Sequence, residues 1–296
     1  MSPRIKPETA PIITRAHSRL FRIRPRVWAC LALIVGLGVG AHFLWKREAP
    51  NVARDPNYLL SAESIHISQP PRWIRSDIKA QVLRDSGLIG TVSVLDDWDS
   101  LSQHIKTAFE LNPWVESVVR ITRRLPSSLE IELKYRRPVA AVESSDTSGV
   151  TYLPIDEHAV RLPENDLTET ERRYLPRISG ISGRPLVGDV WNDPRVIGGA
   201  KLAAQLFDVW QKLRLVEILS NSESTTRDGK QLCSFELVTS GGTRIIWGTT
   251  PGMENATGES SFNAKRERLL NYAAQYGKLE SIDGPATLDV RSDLVI

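Results

Sequence analysis

Residues 27–45 read VWACLALIVGLGVGAHFLW, a run without a single Asp, Glu, Lys or Arg. A helix rises about 1.5 Å per residue, so a run of this length just spans the roughly 30 Å hydrocarbon core of a bilayer. Nothing after it is apolar enough to span again. The chain therefore reads as a short tail, one membrane anchor and an aqueous portion of about 250 residues, enough for one or two packed domains. A cleaved signal peptide is the rival reading, with Val39-Gly40-Ala41 as a small-residue cleavage site. Against it, the apolar run is longer than a usual signal core and the leading tail is long.

Charge sets the expected orientation. Arg4, Lys6, Arg15, Arg19, Arg22, Arg24 and Arg26 precede the run against one acid, Glu8. Lys46 and Arg47 follow it, two charges against seven. The positive-inside rule keeps the N-terminus in the cytoplasm and puts the large portion outside the cytoplasmic (inner) membrane. Phe21, Trp28, Phe43 and Trp45 flank the span, where amphipathic rings sit at headgroup level. The net charge of +3 hides an asymmetry, because residues 1–47 hold nine Lys/Arg and one Glu and leave 29 basic against 34 acidic residues beyond. The tail suits anionic lipid headgroups, at about 1 kcal/mol per basic residue near the surface. A mildly acidic aqueous portion argues against nucleic acid as a partner. The two cysteines, Cys30 in the anchor and Cys233 far along the aqueous portion, are not expected to pair. Cys233 lies in an alternating apolar run and reads as a small core residue.

The anchor is followed by an expected spacer over residues 46–61. Ile65 and Ile67 alternate with polar residues as in a strand. Residues 75–83 form a short amphipathic helix, with Ser76 as its N-cap and Ile78, Val82 and Leu83 on one face. Asp97 or Asp99 caps a second helix that presents Leu101, Ile105, Ala108 and Phe109. Asn112-Pro113 ends it. A strand over residues 115–121 is expected to place Val115, Val119 and Ile121 on one face and Val118 on the other. In the next strand Leu129, Ile131 and Leu133 alternate with charged residues, across a hairpin-length connection at residues 123–127. Later come strands at 140–143 and 151–154, a helix over 200–216, a loop over 218–232, a hairpin around Ser240-Gly241-Gly242, a helix over 263–276 capped by Ser260 or Ser261, and a closing strand.

The stretch Asn112-Pro113-Trp114-Val115, Val119-Arg120-Ile121, Arg124-Leu125-Pro126, Leu129-Glu130-Ile131 and Arg137-Pro138-Val139-Ala140 resembles a POTRA (polypeptide-transport-associated) domain. More narrowly it is similar to the FtsQ/DivIB family of bacterial cell-division proteins. Residues 153–160 (LPIDEHAV), residues 175–180 (LPRISG) and the closing Asp289-Val290-Arg291 look like later segments of that family. Thr287-Leu288 departs from it, standing where an aromatic often precedes the Asp. The resemblance implies an α+β chain: a basic cytoplasmic tail at 1–26, a single transmembrane helix at 27–45, the spacer at 46–61, a POTRA-like domain (β-α-α-β-β) at 62–139, and a mixed β-rich domain with flanking helices at 140–296. It also implies a non-catalytic scaffold at the division septum that docks membrane-anchored partners similar to FtsB and FtsL.

The residues offer little for an enzyme. The aqueous portion has only His66, His104 and His158, without an HExxH, a GxSxG, an SxxK or a phosphate-binding glycine loop. No catalytic, metal or cofactor residues and no small-molecule substrate are expected. Asp96-Asp97 reads as a helix N-terminus favoured by the dipole. Gly36 and Gly40 form a GxxxG pair suited to helix contact in the membrane, or reflect the ordinary abundance of glycine in anchors. Trp114 reads as core packing at a corner rather than a docking hot spot. Arg120, Arg123, Arg124, Lys134, Arg136 and Arg137 offer either a surface for an acidic partner or a solvated strand face.

The closing strand is the sharper candidate. Leu288, Val290, Leu294 and Ile296 supply apolar positions and Asp289, Arg291 and Asp293 polar ones. A terminal strand at a sheet edge offers unpaired N–H and C=O groups for β-augmentation. Leu288, Asp289, Val290, Arg291, Asp293, Leu294 and Ile296, with Arg120 and Arg124, are therefore the expected partner-binding residues. Two other functions remain open: a POTRA-bearing envelope transport or assembly component, and an anchored envelope hydrolase.

Overall fold

The computed structural model describes residues 25–53, 55, 58–88, 92–95, 97–146, 149–221, 225–227, 230–277, 279 and 284–292. The chain is a mixed α+β protein. Helix α1 (Pro25–Ala53) contains one segment, Trp28–Ala49, long and apolar enough to cross a membrane. It runs past the expected end at residue 45, where Lys46, Arg47, Glu48 and Ala49 all favour a helix. The basic residues up to Arg24 lie outside the described residues.

Pro56–Ile296 form a second compact unit. It contains two hydrophobic cores. The first begins inside the expected spacer. Leu60 is buried, Leu60 N donates to Val92 O at 3.0 Å, and Val94 N donates to Tyr58 O at 2.9 Å. Around this core lie β1 (Ile65–Ile67), α2 (Ile78–Ser86), α3 (Trp98–Glu110), β2 (Val115–Arg124) and β3 (Ser128–Tyr135). The strands form a sheet of order β1-β3-β2, with β1 parallel and β2 antiparallel to β3. Ile78, Val82 and Leu83 of α2 and Leu101, Ile105 and Phe109 of α3 pack with Ile65, Leu129 and Ile131.

Two local expectations change here. The α2 cap is Asp77, whose Oδ1 accepts from Ala80 N at 2.9 Å. Ser76 is unavailable, because its N and Oγ both donate to Asp166, at 2.6 and 2.8 Å. In β2 the register shifts twice, between Val115 and Ser117 and between Val118 and Arg120. Each bulge advances the side-chain alternation by one residue. Val115, Val118 and Ile121 therefore join the core, while Val119 is 59% exposed. At α3 Asp97 is the cap, accepting from Ser100 N at 3.0 Å.

The second core lies against a seven-stranded mixed sheet of order β12-β11-β10-β7-β6-β4-β5. Its strands are β4 (Ala140–Asp146), β5 (Gly149–Ile155), β6 (Arg177–Ser179), β7 (Leu215–Ser220), β10 (Ser234–Thr239), β11 (Arg244–Thr249) and β12 (Thr287–Asp289). Residues 218–232, expected as loop, hold the end of β7 and a small hairpin of β8 (Thr225–Arg227) and β9 (Lys230–Leu232). Helix α4 (Glu169–Tyr174) precedes β6 and the single turn α6 (Glu254–Thr257) follows β11. Helices α5 (Pro194–Trp210) and α7 (Phe262–Tyr276) supply Leu202, Leu206, Leu269 and Tyr272 to the core.

α5 starts six residues before the expected helix and stops at Trp210. Pro194 opens it and the Asp193 carboxylate accepts from Arg195 N at 2.8 Å, a strong N-terminal signal. Gly198-Gly199 reads as a breaker in isolation, yet tertiary packing needs it. A Cβ on Gly198 would stand 2.5 Å from Phe235 Cζ, and one on Gly199 would stand 2.9 Å from Ile178 Cδ1. The missing side chains let the helix lie close on the sheet. In α7 the cap is Ser261.

Two buried carboxylates from the chain after β5 reach back to the elements around the first core. Asp166 accepts from Arg75 N, Ser76 N, Ser76 Oγ and Trp114 Nε1. Asp156 accepts from Arg136 Nη1 at 2.6 Å and from Val160 N at 2.8 Å.

Candidate functional site

β12 is the outermost strand of the seven-stranded sheet. It runs parallel to β11, with Thr287, Leu288 and Asp289 opposite Arg244, Ile245 and Ile246. Arg244 N donates to Ala286 O at 3.0 Å and Val290 N to Ile246 O at 3.2 Å. Backbone groups alternate sides along a strand. Residues 286, 288 and 290 thus face β11, and the N–H and C=O of Thr287 and Asp289 face away from it. That outward row is the geometry a partner strand extends.

Side chains divide in the same way. Leu288 and Val290 are 0% exposed and belong to the main core. Their side chains seat the strand on that core. Thr287 and Arg291 are exposed and Asp289 is half-buried. Arg291 grips Asp289, with Nη2 donating to Oδ2 at 2.6 Å and the backbone N to Oδ1 at 3.0 Å. The Arg291 guanidinium holds the Asp289 carboxyl below its ordinary value, and Asp289 raises Arg291 in return. Asp293, Leu294 and Ile296 lie outside the described residues.

The strand is clamped from α7 and the segment before it. Ser260 N donates to Arg291 O at 2.8 Å, and Arg268 Nη1 donates to Val290 O at 3.1 Å. Behind them Lys265, 0% exposed, donates to Glu259 Oε2 at 2.5 Å and stands 5.6 Å from the centre of the Trp247 ring. Glu259 Oε2 also accepts from Thr249 N at 3.0 Å. Sequence reading missed this support. The available signal was Lys265 on the same helical stripe as Leu269 and Tyr272, a charge among buried positions.

Arg120 and Arg124 lie on the other sheet, so they are not part of this edge. Arg120 Nη2 pairs with Glu132 Oε2 at 2.9 Å and Arg124 Nη2 with Glu130 Oε2 at 2.8 Å. Lys134 Nζ pairs with Glu116 Oε1 at 2.6 Å, and that hydrogen bond raises the Lys134 ammonium. Arg123 Nη1 donates to Val94 O at 2.9 Å and its guanidinium covers the Trp98 ring. Arg136 reaches buried Asp156, and Arg137 lies over the Phe207 ring at 4.4 Å. These basic residues, read as either a surface for an acidic partner or a solvated strand face, each have a partner within the chain.

Among the described residues no group of three His, Cys, Asp or Glu side chains could hold a metal ion. Cys233 is 2% exposed, and burial pushes its thiol up, away from nucleophilic use. Trp114 is 1% exposed and its Nε1 donates to Asp166 Oδ2 at 2.5 Å, so it packs and bonds inside the molecule. Comparison with models of known protein families finds no match, and comparison with curated proteins finds no relative.

Proposed function

We propose that this protein is a non-catalytic, single-pass membrane scaffold of the bacterial division machinery, of the FtsQ/DivIB kind. The observation that carries the reading is the position of β12, which among the described residues is an outermost strand with a sheet neighbour on one side only. A strand so placed captures an extended segment of a partner through main-chain bonds. The α1 helix supports a single membrane anchor, and the seven basic residues before its apolar run favour a cytoplasmic N-terminus. The motifs between residues 112 and 140 support a POTRA-like domain over 62–139, a surface for recruitment close to the membrane, followed by the β domain over 140–296 that carries the edge. Confinement to two dimensions raises the effective concentration of anchored partners similar to FtsB and FtsL.

Fluorescently tagged full-length protein is expected to form a band at the division site before constriction. An even distribution around the envelope overturns the division role. Thr287→Pro deletes an outward-facing N–H without touching a bond to β11, and is expected to abolish crosslinking of the membrane partners to a photoreactive residue at position 289 in intact cells while insertion is unchanged. Partners that still crosslink in this variant remove β12 as the docking edge.

A further inference from the structure

The seven-stranded sheet has a second edge, and among the described residues β5 forms it. β5 pairs antiparallel with β4, with Ile155, Leu153 and Thr151 opposite Ala140, Val142 and Ser144. Val139 N donates to Ile155 O at 2.9 Å, so Ile155 turns its main-chain groups towards β4. By alternation Leu153, Thr151 and Gly149 do the same, and the N–H and C=O of Val150 and Tyr152 face away from the sheet. Among the described residues these outward groups have no backbone partner. The open stretch ends at Pro154, which has no N–H and whose carbonyl accepts from Leu162 N at 2.8 Å.

Sheet edges left in water are ordinarily guarded by charged side chains, and residues 149–155 carry none. Val150 is 56% exposed, and Tyr152 is half-buried on the same strand face. This pattern is its own complement. A second β5 laid antiparallel about Thr151 sets Val150 opposite Tyr152 of the other copy, and Tyr152 opposite its Val150. Each such couple exchanges main-chain bonds in both directions. Each also sets an aromatic ring against a β-branched side chain, a favoured cross-strand pair. Thr151 meets Thr151 at the axis, where no main-chain bonds cross. Gly149 and Leu153 bound the paired stretch, because Pro154 follows. A charged partner finds nothing on this strand to recognise it, whereas a copy of the chain matches it along the whole open stretch.

We propose that β5 is an interface between two copies of this chain, joined antiparallel about Thr151 so that their sheets become continuous. The contact is isologous: the same edge serves both copies and closes the pair. A strand pairing this short is weak between molecules free in solution. Confinement to a bilayer through α1 raises the effective concentration of one copy around another and makes up the difference. β12 stands at the other end of the strand order, so pairing through β5 leaves it open to a different protein. The inference uses the membrane anchor and does not rest on the division role.

Full-length protein carrying Cys30→Ser is reconstituted in phosphatidylcholine liposomes, with Cys233 kept because it is buried. Thr151→Cys is added and the liposomes are oxidised with copper phenanthroline. Antiparallel positions without main-chain bonds bring Cα atoms to about 4.5 Å, within reach of a disulfide. Disulfide-linked dimer is expected to form at least about tenfold faster from Thr151→Cys than from Thr287→Cys, whose place on the opposite edge reports chance collisions. Val150→Lys puts a charge on an exposed position and is expected to lower the Thr151→Cys rate to the collision level. Tyr152→Pro removes an outward N–H and no bond to β4, and is expected to do the same. Should Tyr152→Pro unfold, Val150→Lys decides the matter alone. Equal rates at the two edges overturn the inference, as does a Thr151→Cys rate unchanged by Val150→Lys. Position 151 crosslinking in cells to a different protein, with no dimer in liposomes, gives the edge to that protein and overturns the second copy. The liposomes hold no other protein, so the result stands or falls separately from septal localisation.

Discussion

Trp114 Nε1 donates to Asp166 Oδ2 at 2.5 Å, across 52 positions of sequence. The same carboxylate takes three more donors, from Arg75 N, Ser76 N and Ser76 Oγ. Removing the carboxylate strands several enclosed donors together. Asp166→Ala is expected to cost about 3–5 kcal/mol, and Asp166→Asn less, since one oxygen survives. Urea unfolding followed separately by Trp fluorescence and far-UV circular dichroism checks this. A midpoint unchanged from the wild type refutes that cost.

Lys265 and Glu259 behave as a unit. Lys265→Ala leaves the largely buried Glu259 carboxylate without its cation and is expected to destabilise by about 3–5 kcal/mol. Pairing Lys265→Met with Glu259→Gln removes both charges and is expected to recover most of the loss. A double-mutant cycle on thermal unfolding measures the coupling, and additive losses would falsify it.

Gly198→Ala sets a methyl 2.5 Å from Phe235 Cζ, at the closest approach of α5 to the sheet. The overpacking is expected to cost about 1–3 kcal/mol. Phe235→Leu in the same chain is expected to relieve part of it, read from chemical denaturation midpoints. Losses that simply add place the cost elsewhere.

Hydrogen bonds from Arg75 and from Thr168 N bring the Glu171 carboxyl down from 4.5 to about 2. A depressed carboxylate contributes stability that is fully present above its unfolded value and is lost as pH falls through its folded one. The contact between Glu171 and Arg75 is therefore expected to be complete above pH 4.5 and to weaken towards pH 2. The carboxyl carbon shift of Glu171, followed by NMR across that window, gives the midpoint. A midpoint near 4.5 contradicts the contact, and Arg75→Gln is expected to move it upwards.

Sequence periodicity carries much of this fold where one helix face or one strand face decides burial. Leu101, Ile105 and Phe109 on α3, and Leu129, Ile131 and Leu133 on β3, are buried as their spacing requires. It fails where a distant residue intervenes. Ser76 is diverted from its helix by Asp166, and Gly198-Gly199 continues a helix because a neighbouring strand comes close. Two bulges put Val118 into the core and Val119 outside, and a strict period of two has no means of showing them. Within the candidate site, the alternation of Leu288 and Val290 with polar residues is visible in the chain, whereas which of the two faces a partner meets depends on β11 and α7.

The parallel seat of β12 limits what its edge can offer. Arg291 O is already taken by Ser260 N, so within the described residues only Thr287 and Asp289 present outward main-chain groups. Two donors and two acceptors, at about 1 kcal/mol each, hold a partner with a dissociation constant near the millimolar range. Such a contact forms and dissolves quickly. On the proposed docking role, it would register how crowded its surroundings are, remaining empty while partners are dilute in the membrane and filling once they gather in one zone.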